Sequence, residues 1–293
     1  IYPMAPILDI PFLPEESYVD FLNNNIDHID SVYFSLTGEQ RMDNRFQPEF
    51  LEEPQKVMEL LAQLAVPNKF ALLNSRFYGP SLLTDKEQLL NLIHTLEKFT
   101  EQKLVKGIVY CDHYLLQSLS KEAPDLAAAL EAIPGSNTML DSQSKIDAHL
   151  AYIGETRFRQ PSKLILDRAL NRNLGKLSDI ARWCKTGLPE TKLVLLGNEG
   201  CLPHCPYRSS HDAYIALSNI ENTEYHQDIN SNFGCMQLLK KHPYRILQSP
   251  FIRPEDVDSY LHEVDIIKLS GRALGKEFLE QAISTYIQRS HPG

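Results

Sequence analysis

Residues 163–196 read KLILDRALNRNLGKLSDIARWCKTGLPETKLVLL. Residues 163–166 and 192–196 are short apolar runs typical of buried strands, and residues 174–184 between them follow the period of a helix. One face of that helix carries Leu177, Ile180, Ala181 and Cys184. A strand, a helix and a second strand in this order predict two parallel strands joined by a right-handed crossover.

The same alternation continues over most of the chain. Candidate strands lie at residues 5–10, 31–36, 69–73, 107–110, 137–140, 163–166, 192–196, 245–248 and 265–269, with further helical periods at 55–64, 85–99 and 254–261. This pattern predicts an α/β protein with a (β/α)₈ TIM-barrel-like fold. One of the strands at 5–10, 245–248 or 265–269 is then an accessory element. We expect one domain over residues 1–293, with residues 201–240 forming a polar cap over the barrel.

Composition excludes several classes of protein. The chain has 293 residues and a net charge of −9, which argues against extended nucleic-acid binding because phosphate binding needs a basic surface. No apolar run is long enough to cross a bilayer, and residues 1–6 do not resemble a signal peptide. Five cysteines, an odd number, favour a reduced compartment over a disulfide framework, so we expect a cytoplasmic protein.

A cysteine-containing turn follows the strand at 192–196. Residues 197–208 read GNEGCLPHCPYR and place Cys201 and Cys205 in a turn rich in proline and glycine, while Cys235 arrives after a polar connection. Thiols gathered at one end of a barrel indicate an iron–sulfur cluster, with zinc as the alternative because His204 and His211 lie nearby. Cys111, at the end of another strand, is either a fourth ligand or a packed residue.

Other polar residues follow the predicted strands, at the end of a barrel where catalysis takes place. Arg168, Lys268 and Arg272 are candidates for binding an anionic group, although Arg168 could equally form a structural salt bridge with its neighbour. Ser209, Ser210, His211 and Asp212 are residue types of a catalytic triad, but sequence neighbours do not face each other productively, so no triad is predicted. The predicted catalytic residues are Glu199, Asn198 and Asp167, and the further substrate-binding residues are Asn74 and Arg76.

Residues 265–272, DIIKLSGR, with the continuation to Phe278 and Tyr286, resemble the "KIEGR" element and following helix of the U32 peptidase-like family. Ser270 stands where that element has an acidic residue, which indicates a divergent member. Residues 142–147, 166–168, 197–201 and 246–250 also occur in the family's order. The resemblance covers roughly Gly107 to the C-terminus.

The resemblance implies a TIM-barrel-like fold and a [4Fe-4S] cluster held by four cysteines. Cys201, Cys205 and Cys235 lie in the matching region, with Cys111 the first and Cys184 the second candidate for the fourth ligand. Some members of the family support oxygen-independent hydroxylation of an RNA base or a quinone precursor, whereas others were described as collagenase-like proteases.

Three functions therefore stand as hypotheses. The first is an iron–sulfur oxidoreductase or other modifying enzyme that acts on a small molecule or on a group presented by a partner. The second is a hydrolase of the peptidase type. The third is a non-catalytic iron–sulfur or zinc subunit that forms a heteromer with a related chain. Membrane association is not expected in any of them.

Overall fold

The computed structural model describes residues 6–36, 41–44 and 54–290. Eight parallel strands form a nearly closed barrel with helices packed around it, which confirms the (β/α)₈ TIM-barrel-like prediction. The strands are β1 Leu8–Pro11, β2 Ile29–Ser35, β3 Asn68–Leu73, β4 Gly107–Tyr110, β5 Glu131–Pro134, β6 Lys163–Ile165, β7 Lys192–Leu196 and β8 Ile266–Lys268.

The barrel has a seam between β5 and β6. Hydrogen-bonded neighbours run in the order β5-β4-β3-β2-β1-β8-β7-β6, so β5 and β6 are the two ends of the sheet. Two isolated bridges close the gap, one between Glu131 and Arg159 and the other between Leu140 and Leu166. The seam therefore has fewer strand-to-strand hydrogen bonds than the rest of the barrel.

Amphipathic helices cover the outside of the barrel. In α4, for example, Asp85 caps the N-terminus by accepting a hydrogen bond from the Glu87 amide, and the apolar face beginning at Leu89 packs against the strands. The helices are α1 Glu16–Asn24, α2 Pro54–Gln63, α3 Pro80–Thr84, α4 Lys86–Glu101, α5 His113–Glu122, α6 Pro124–Ala129, α7 Gln143–Gly154, α8 Leu174–Gly187, α9 Arg208–Glu221, α10 Tyr225–Asn232, α11 Cys235–Lys241 and α12 Lys276–Gln288.

The interior of the barrel is a separate apolar cluster with a charged group of residues beside it. Its apolar side chains are Tyr33, Phe70, Leu72, Val109, Ile133, Ile165, Val194 and Ile266. Asp9 of β1 lies between two lysines, 3.0 Å from the Nζ of Lys163 and 2.6 Å from the Nζ of Lys268. Ser31 completes the group by donating to Asp9 and accepting from Lys163. We call Asp9, Ser31, Lys163 and Lys268 the axial ion cluster.

Gly107 explains how β4 and β5 approach each other. A Cβ atom at this position would lie 2.4 Å from the carbonyl oxygen of Glu131 and 2.8 Å from its Cβ. Any side chain would therefore push the two strands apart. The residue at the start of β4 must be glycine for β5 to pair in this register.

Two of the nine predicted strands are wrong. Residues 245–248, RILQ, lie in the 3₁₀ helix Pro243–Gln248, which has no buried residue and, within the described ranges, no strand paired with it. Residues 137–140 overlap the 3₁₀ helix Ser136–Thr138, and the strand of this unit is β5, which precedes it. The helix predicted at 254–261 is the 3₁₀ helix Pro254–Ser259.

Three helices, α9 to α11, form most of the segment predicted as a polar cap. The sequence indicated a loop here because these helices have weak apolar faces, and α10 and α11 contain no buried residue. Of the helices that the structure describes, none combines the length and apolarity needed to span a bilayer. Residues 41–54 are polar in sequence, which predicts a loop over one rim of the barrel, and most of them lie outside the described residues.

Candidate functional site

A cavity of about 760 Å³ lies at the carboxyl ends of the strands, where a TIM barrel holds its active site. Its walls come from the turn after β7, from α9 to α11 and from the turn after β8. A smaller cavity of about 110 Å³ shares Asn44, Arg168 and Glu199 with it and reaches Lys268 and Tyr33 inside the barrel. The two cavities form one site, with an outer chamber under the cap and an inner chamber in the barrel mouth.

Three cysteines predicted as metal ligands line the outer chamber: Cys201, Cys205 and Cys235. All are free thiols. Burial raises the pKa of Cys235, and nearby Cys205 raises it further. Soft sulfur donors around one chamber are the ligand chemistry that an iron–sulfur cluster or zinc requires. In the part of the chain that the structure describes, no three His, Cys, Asp or Glu side chains form a group that could already hold a metal ion.

Cys111 does not line either chamber. Its sulfur lies 3.9 Å from the Arg76 guanidinium, and burial raises its pKa to about 11. Arg76 also donates to the Asn137 carbonyl at 2.9 Å, so this corner of the barrel mouth is held by hydrogen bonds. Cys184 is buried on the packed face of α8 and is 1% exposed. Neither candidate for a fourth ligand, Cys111 or Cys184, therefore lines the chamber that holds the other three cysteines.

Glu199 forms a buried ion pair with Arg168, and both side chains line the two chambers. The other carboxylate oxygen of Glu199 accepts a hydrogen bond from the Cys201 amide at 3.0 Å, which fixes the start of the cysteine turn. Burial alone would lower the pKa of Arg168, but Glu199 and then Cys201 raise it above its ordinary value. Arg168 therefore stays charged.

Asn198 joins the turn after β7 to the turn after β8. Its Nδ2 donates to the Ser270 carbonyl at 2.7 Å, and its Oδ1 accepts from the Ser270 amide at the same distance. Next to Ser270, Gly271 has a φ of +121°, and a Cβ there would meet the Phe278 ring at 2.3 Å. Asn198 and Gly271 thus shape the wall of the site.

Each of the three residues predicted to bind an anionic group has a carboxylate partner. Arg272 lies 2.9 Å from Asp43, and Arg168 and Lys268 are paired with Glu199 and Asp9 as described. Burial lowers the pKa of Lys268 to about 8, although Asp9 acts in the opposite direction. Binding of an anionic group by these residues stays a prediction. Their carboxylate partners offset much of the positive charge.

Asp167 and Asn74 form hydrogen bonds that connect segments at the rim of the barrel. Asp167 caps the following 3₁₀ helix by accepting from the Ala169 amide, and its other oxygen lies 2.5 Å from Arg208 of α9. Asn74 accepts a hydrogen bond from the Asn44 amide at 3.2 Å and lines the inner chamber. Asp167 therefore connects the barrel to the cap.

Asp212 is a site residue that the sequence did not predict. It is 7% exposed and lines the outer chamber, where its Oδ1 accepts a hydrogen bond from Asn44 Nδ2 at 3.3 Å. Among the described residues, its Oδ2 has no hydrogen-bond partner. Asp212 is close enough to Arg168 to contribute to the raised pKa of that guanidinium.

Arg208 provides a complementary donor from the same helix. It precedes Asp212 by four residues on α9, so the two side chains share one helix face. Its terminal nitrogens bind Asp167 and the Ser136 carbonyl, whereas its buried Nε has no partner among the described residues. Asp212 and Arg208 thus both line the outer chamber from one face of α9, and each has a buried polar atom that lacks a hydrogen-bond partner within the described ranges.

Part of the chain is similar in sequence to a known protein. No family model matches the chain. The chain is 33% identical over 130 residues to an uncharacterized protease, MJ1657, of Methanocaldococcus jannaschii. That match covers 44% of this chain and 37% of the relative, so this chain spans well under half of the relative's length.

Solved structures agree with the architecture. The U32 peptidase Mk0906 superposes with a TM-score of 0.56 at 15% identity, covering 92% of this chain and 96% of the other. A phosphoribosylanthranilate isomerase from Thermotoga maritima gives a TM-score of 0.34 at 12% identity and covers 74% of this chain and 99% of its own. A TM-score this low supports no conclusion about this chain. The chain is therefore similar in fold to a U32 peptidase and, over 130 residues, in sequence to an uncharacterized protease, which agrees with the resemblance that residues 265–272 indicated.

Proposed function

We propose that this protein is a hydrolase of the U32 peptidase type, acting on an amide or peptide bond in the outer chamber. The two similar proteins are an uncharacterized protease and a U32 peptidase, which favours hydrolysis over an oxidoreductase reaction. The observation that carries the proposal is that, in the part of the chain that the structure describes, a carboxylate oxygen of Asp212 and the Nε of Arg208 are buried without a hydrogen-bond partner, and that both residues line the outer chamber. Hydrolysis of an amide requires a base for water and a donor for the developing oxyanion, and these two atoms supply both.

Groups of this site account for each proton transfer in the reaction. Asp212 takes a proton from a water molecule while the oxygen of that water attacks the carbonyl carbon. The Nε–H of Arg208 donates a hydrogen bond to the oxyanion that forms. The carbon–nitrogen bond then breaks, and the proton held by Asp212 passes to the leaving amine. Asn44 orients the carboxylate through its hydrogen bond to Oδ1. Glu199, Asn198 and Asp167, predicted as catalytic, act here as positioning residues because each is engaged in an ion pair or hydrogen bonds.

Replacement of Asp212 by asparagine tests the base. The side chain keeps its shape, and we expect the rate of hydrolysis to fall by about 10²-fold or more, the usual contribution of a general base. The measurement is cleavage of quenched fluorescent casein and gelatin at pH 7 by the wild-type protein and by Asp212→Asn. Asp228→Asn is the matched control, since Asp228 is an exposed acid of the cap that does not line the chamber.

The result distinguishes a base from a structural acid. A wild-type rate in Asp212→Asn would rule out the proposed step, and so would a wild-type protein that cleaves neither protein substrate. Circular dichroism of the variant shows whether α9 keeps its helix. Loss of activity with the helix intact supports the proposal.

A metal–sulfur enzyme is the second candidate, and a specific observation favours it: three thiols line the chamber. Cys201, Cys205 and Cys235 would hold an iron–sulfur cluster, with zinc as the alternative and the fourth ligand still to be found. A cluster would supply either an electron carrier or an iron with an open coordination position. Arg168 and Glu199 would bind and orient the substrate beside it.

The spectrum of protein purified under argon tests this candidate. We expect brown protein with thiolate-to-iron charge-transfer absorption, and we expect the double variant Cys201→Ser, Cys205→Ser to lose it. Cys184→Ser is the control because Cys184 packs against the barrel and should leave the colour unchanged. Colourless wild-type protein would reject a cluster, and stoichiometric zinc in it would identify the alternative metal. Casein cleavage that survives in the double variant would separate hydrolysis from the thiols.

A further inference from the structure

Tyr110, His113 and His149 form a compact triangle of donor atoms outside the barrel, away from the residues that line either chamber. The Tyr110 hydroxyl lies 3.2 Å from His113 Nε2 and 3.2 Å from His149 Nδ1. The two ring nitrogens lie 3.1 Å apart. Two nitrogen atoms and one oxygen atom therefore form a nearly equilateral triangle.

The fold brings these residues together from three elements. Tyr110 is the last residue of β4, and its fully buried side chain belongs to the core between barrel and helices. Asp112 caps α5 by accepting from the Tyr114 amide at 2.8 Å, which makes His113 the first residue of that helix. His149 comes from the middle of α7. Both histidines are partly exposed, so solutes can reach them.

The dimensions of the triangle suit a metal ion. A point in its plane and equally distant from the three atoms lies about 1.8 Å from each, slightly less than the zinc–nitrogen distance of about 2.0–2.1 Å. An ion about 1 Å above the plane would reach all three atoms at about 2.05 Å without displacing them. That placement leaves a coordination position open on the side away from the triangle.

The charge state of the histidines also suits a metal. Burial lowers the pKa of His149 to about 4, with His113 and Lys145 adding to the effect, and burial also lowers the pKa of His113. At neutral pH both rings are therefore uncharged, and the neutral ring is the form that binds metal. Lys145, the nearby cation, is engaged by Asp141 at 2.7 Å and by the Met139 carbonyl at 3.1 Å.

We propose that Tyr110, His113 and His149 bind a divalent transition-metal ion of the zinc type, with a fourth position open to solvent. The ion would tie β4, α5 and α7 together on the outside of the barrel. Burial raises the pKa of Tyr110. A dication at the centre would favour the phenolate and offset that effect.

Cobalt, a spectroscopic substitute for zinc, tests the site. The triple variant Cys201→Ser, Cys205→Ser, Cys235→Ser serves as the background, so that the thiols of the chamber cannot bind the ion. Titration with Co²⁺ at pH 7 should give one equivalent of bound cobalt, with visible d–d bands and no sulfur charge-transfer absorption. Adding His149→Ala or His113→Ala should abolish these bands, whereas His94→Ala, an exposed histidine of α4, should preserve them.

Tyr110→Phe checks the third ligand with little change in packing. Loss of one ligand should weaken Co²⁺ binding by about 10-fold or more while leaving the two imidazoles in place. No cobalt bound in the background variant, or the same bands after loss of either cluster histidine, would overturn the proposal. Neither result depends on the activity proposed for the outer chamber.

Discussion

Asp9 shows how individual residues set the stability of this barrel. The carboxylate lies between the ammonium groups of Lys163 and Lys268, and all three side chains are buried. Burial on its own would raise the pKa of Asp9, but the two lysines outweigh it and lower that pKa to about 2. Because the pKa is lower in the folded state, ionised Asp9 stabilises the fold.

The pH at which this stabilisation disappears follows from the same values. It is fully present above about pH 4, the pKa of an ordinary aspartate, and it is lost as pH falls towards 2. We expect Asp9→Asn to lower the free energy of unfolding at pH 7 by about 3–5 kcal/mol, because two buried ammonium groups lose their partner. The variant should also lose stability less steeply than the wild type between pH 4 and pH 2.

Urea unfolding at pH 7, 5, 4 and 3 measures both effects. Asp20→Asn is the control, since Asp20 is an exposed acid on α1 and its replacement should leave the profile unchanged. Equal slopes below pH 4 in the wild type and Asp9→Asn would contradict the role of Asp9. An unchanged free energy of unfolding at pH 7 would contradict it as well.

How far the site could be predicted depended on whether a residue carries a local signal. Cys201 and Cys205 could be found because thiols in a turn of prolines and glycines have no apolar surroundings to pack into. Asp43, the partner of Arg272, has no such signal, because the pairing arises only when the barrel closes. Asp212 is similar: its position depends on how α9 docks, and its sequence neighbours offered only an unproductive triad pattern.

Among the elements, strands with apolar runs were predictable and short polar ones were not. β4 is apolar along its length and β7 is apolar after Lys192, and the prediction of both strands is confirmed. β5 begins with Glu131 and ends with Pro134, so its four residues resemble a turn; Gly107 and the ladder with β4 make it a strand. Residues 245–248, in which only Ile246 and Leu247 are apolar, lack a neighbouring strand among the described residues and form part of a 3₁₀ helix.

At the scale of the whole molecule, the seam between β5 and β6 should open more easily than the rest of the barrel. β2 and β3 each have a hydrogen-bonded strand on both sides, whereas β5 and β6 have a full ladder on one side only. Their residues are buried alike, so a difference in amide exchange would report hydrogen bonding and local opening.

Hydrogen–deuterium exchange measured by mass spectrometry tests the seam. Peptides that cover residues 131–134 and 163–166 should exchange earlier than peptides that cover residues 31–35 and 68–73. Equal protection in the two sets would show that the isolated bridges hold the barrel as firmly as its ladders. Arg159→Ala, which removes the side-chain hydrogen bonds of Arg159 to the carbonyls of Lys106 and Ala129, should widen the difference.

The axial ion cluster bears on the side from which a substrate can reach the site. Its lysines and aspartate pack inside the barrel, and Lys268 also lines the inner chamber. For the hydrolase proposed above, we therefore expect the substrate to enter through the outer chamber, whose walls include α9, α10 and α11. For a bulky polypeptide, the rate at which those three helices move to admit it would limit the turnover rate.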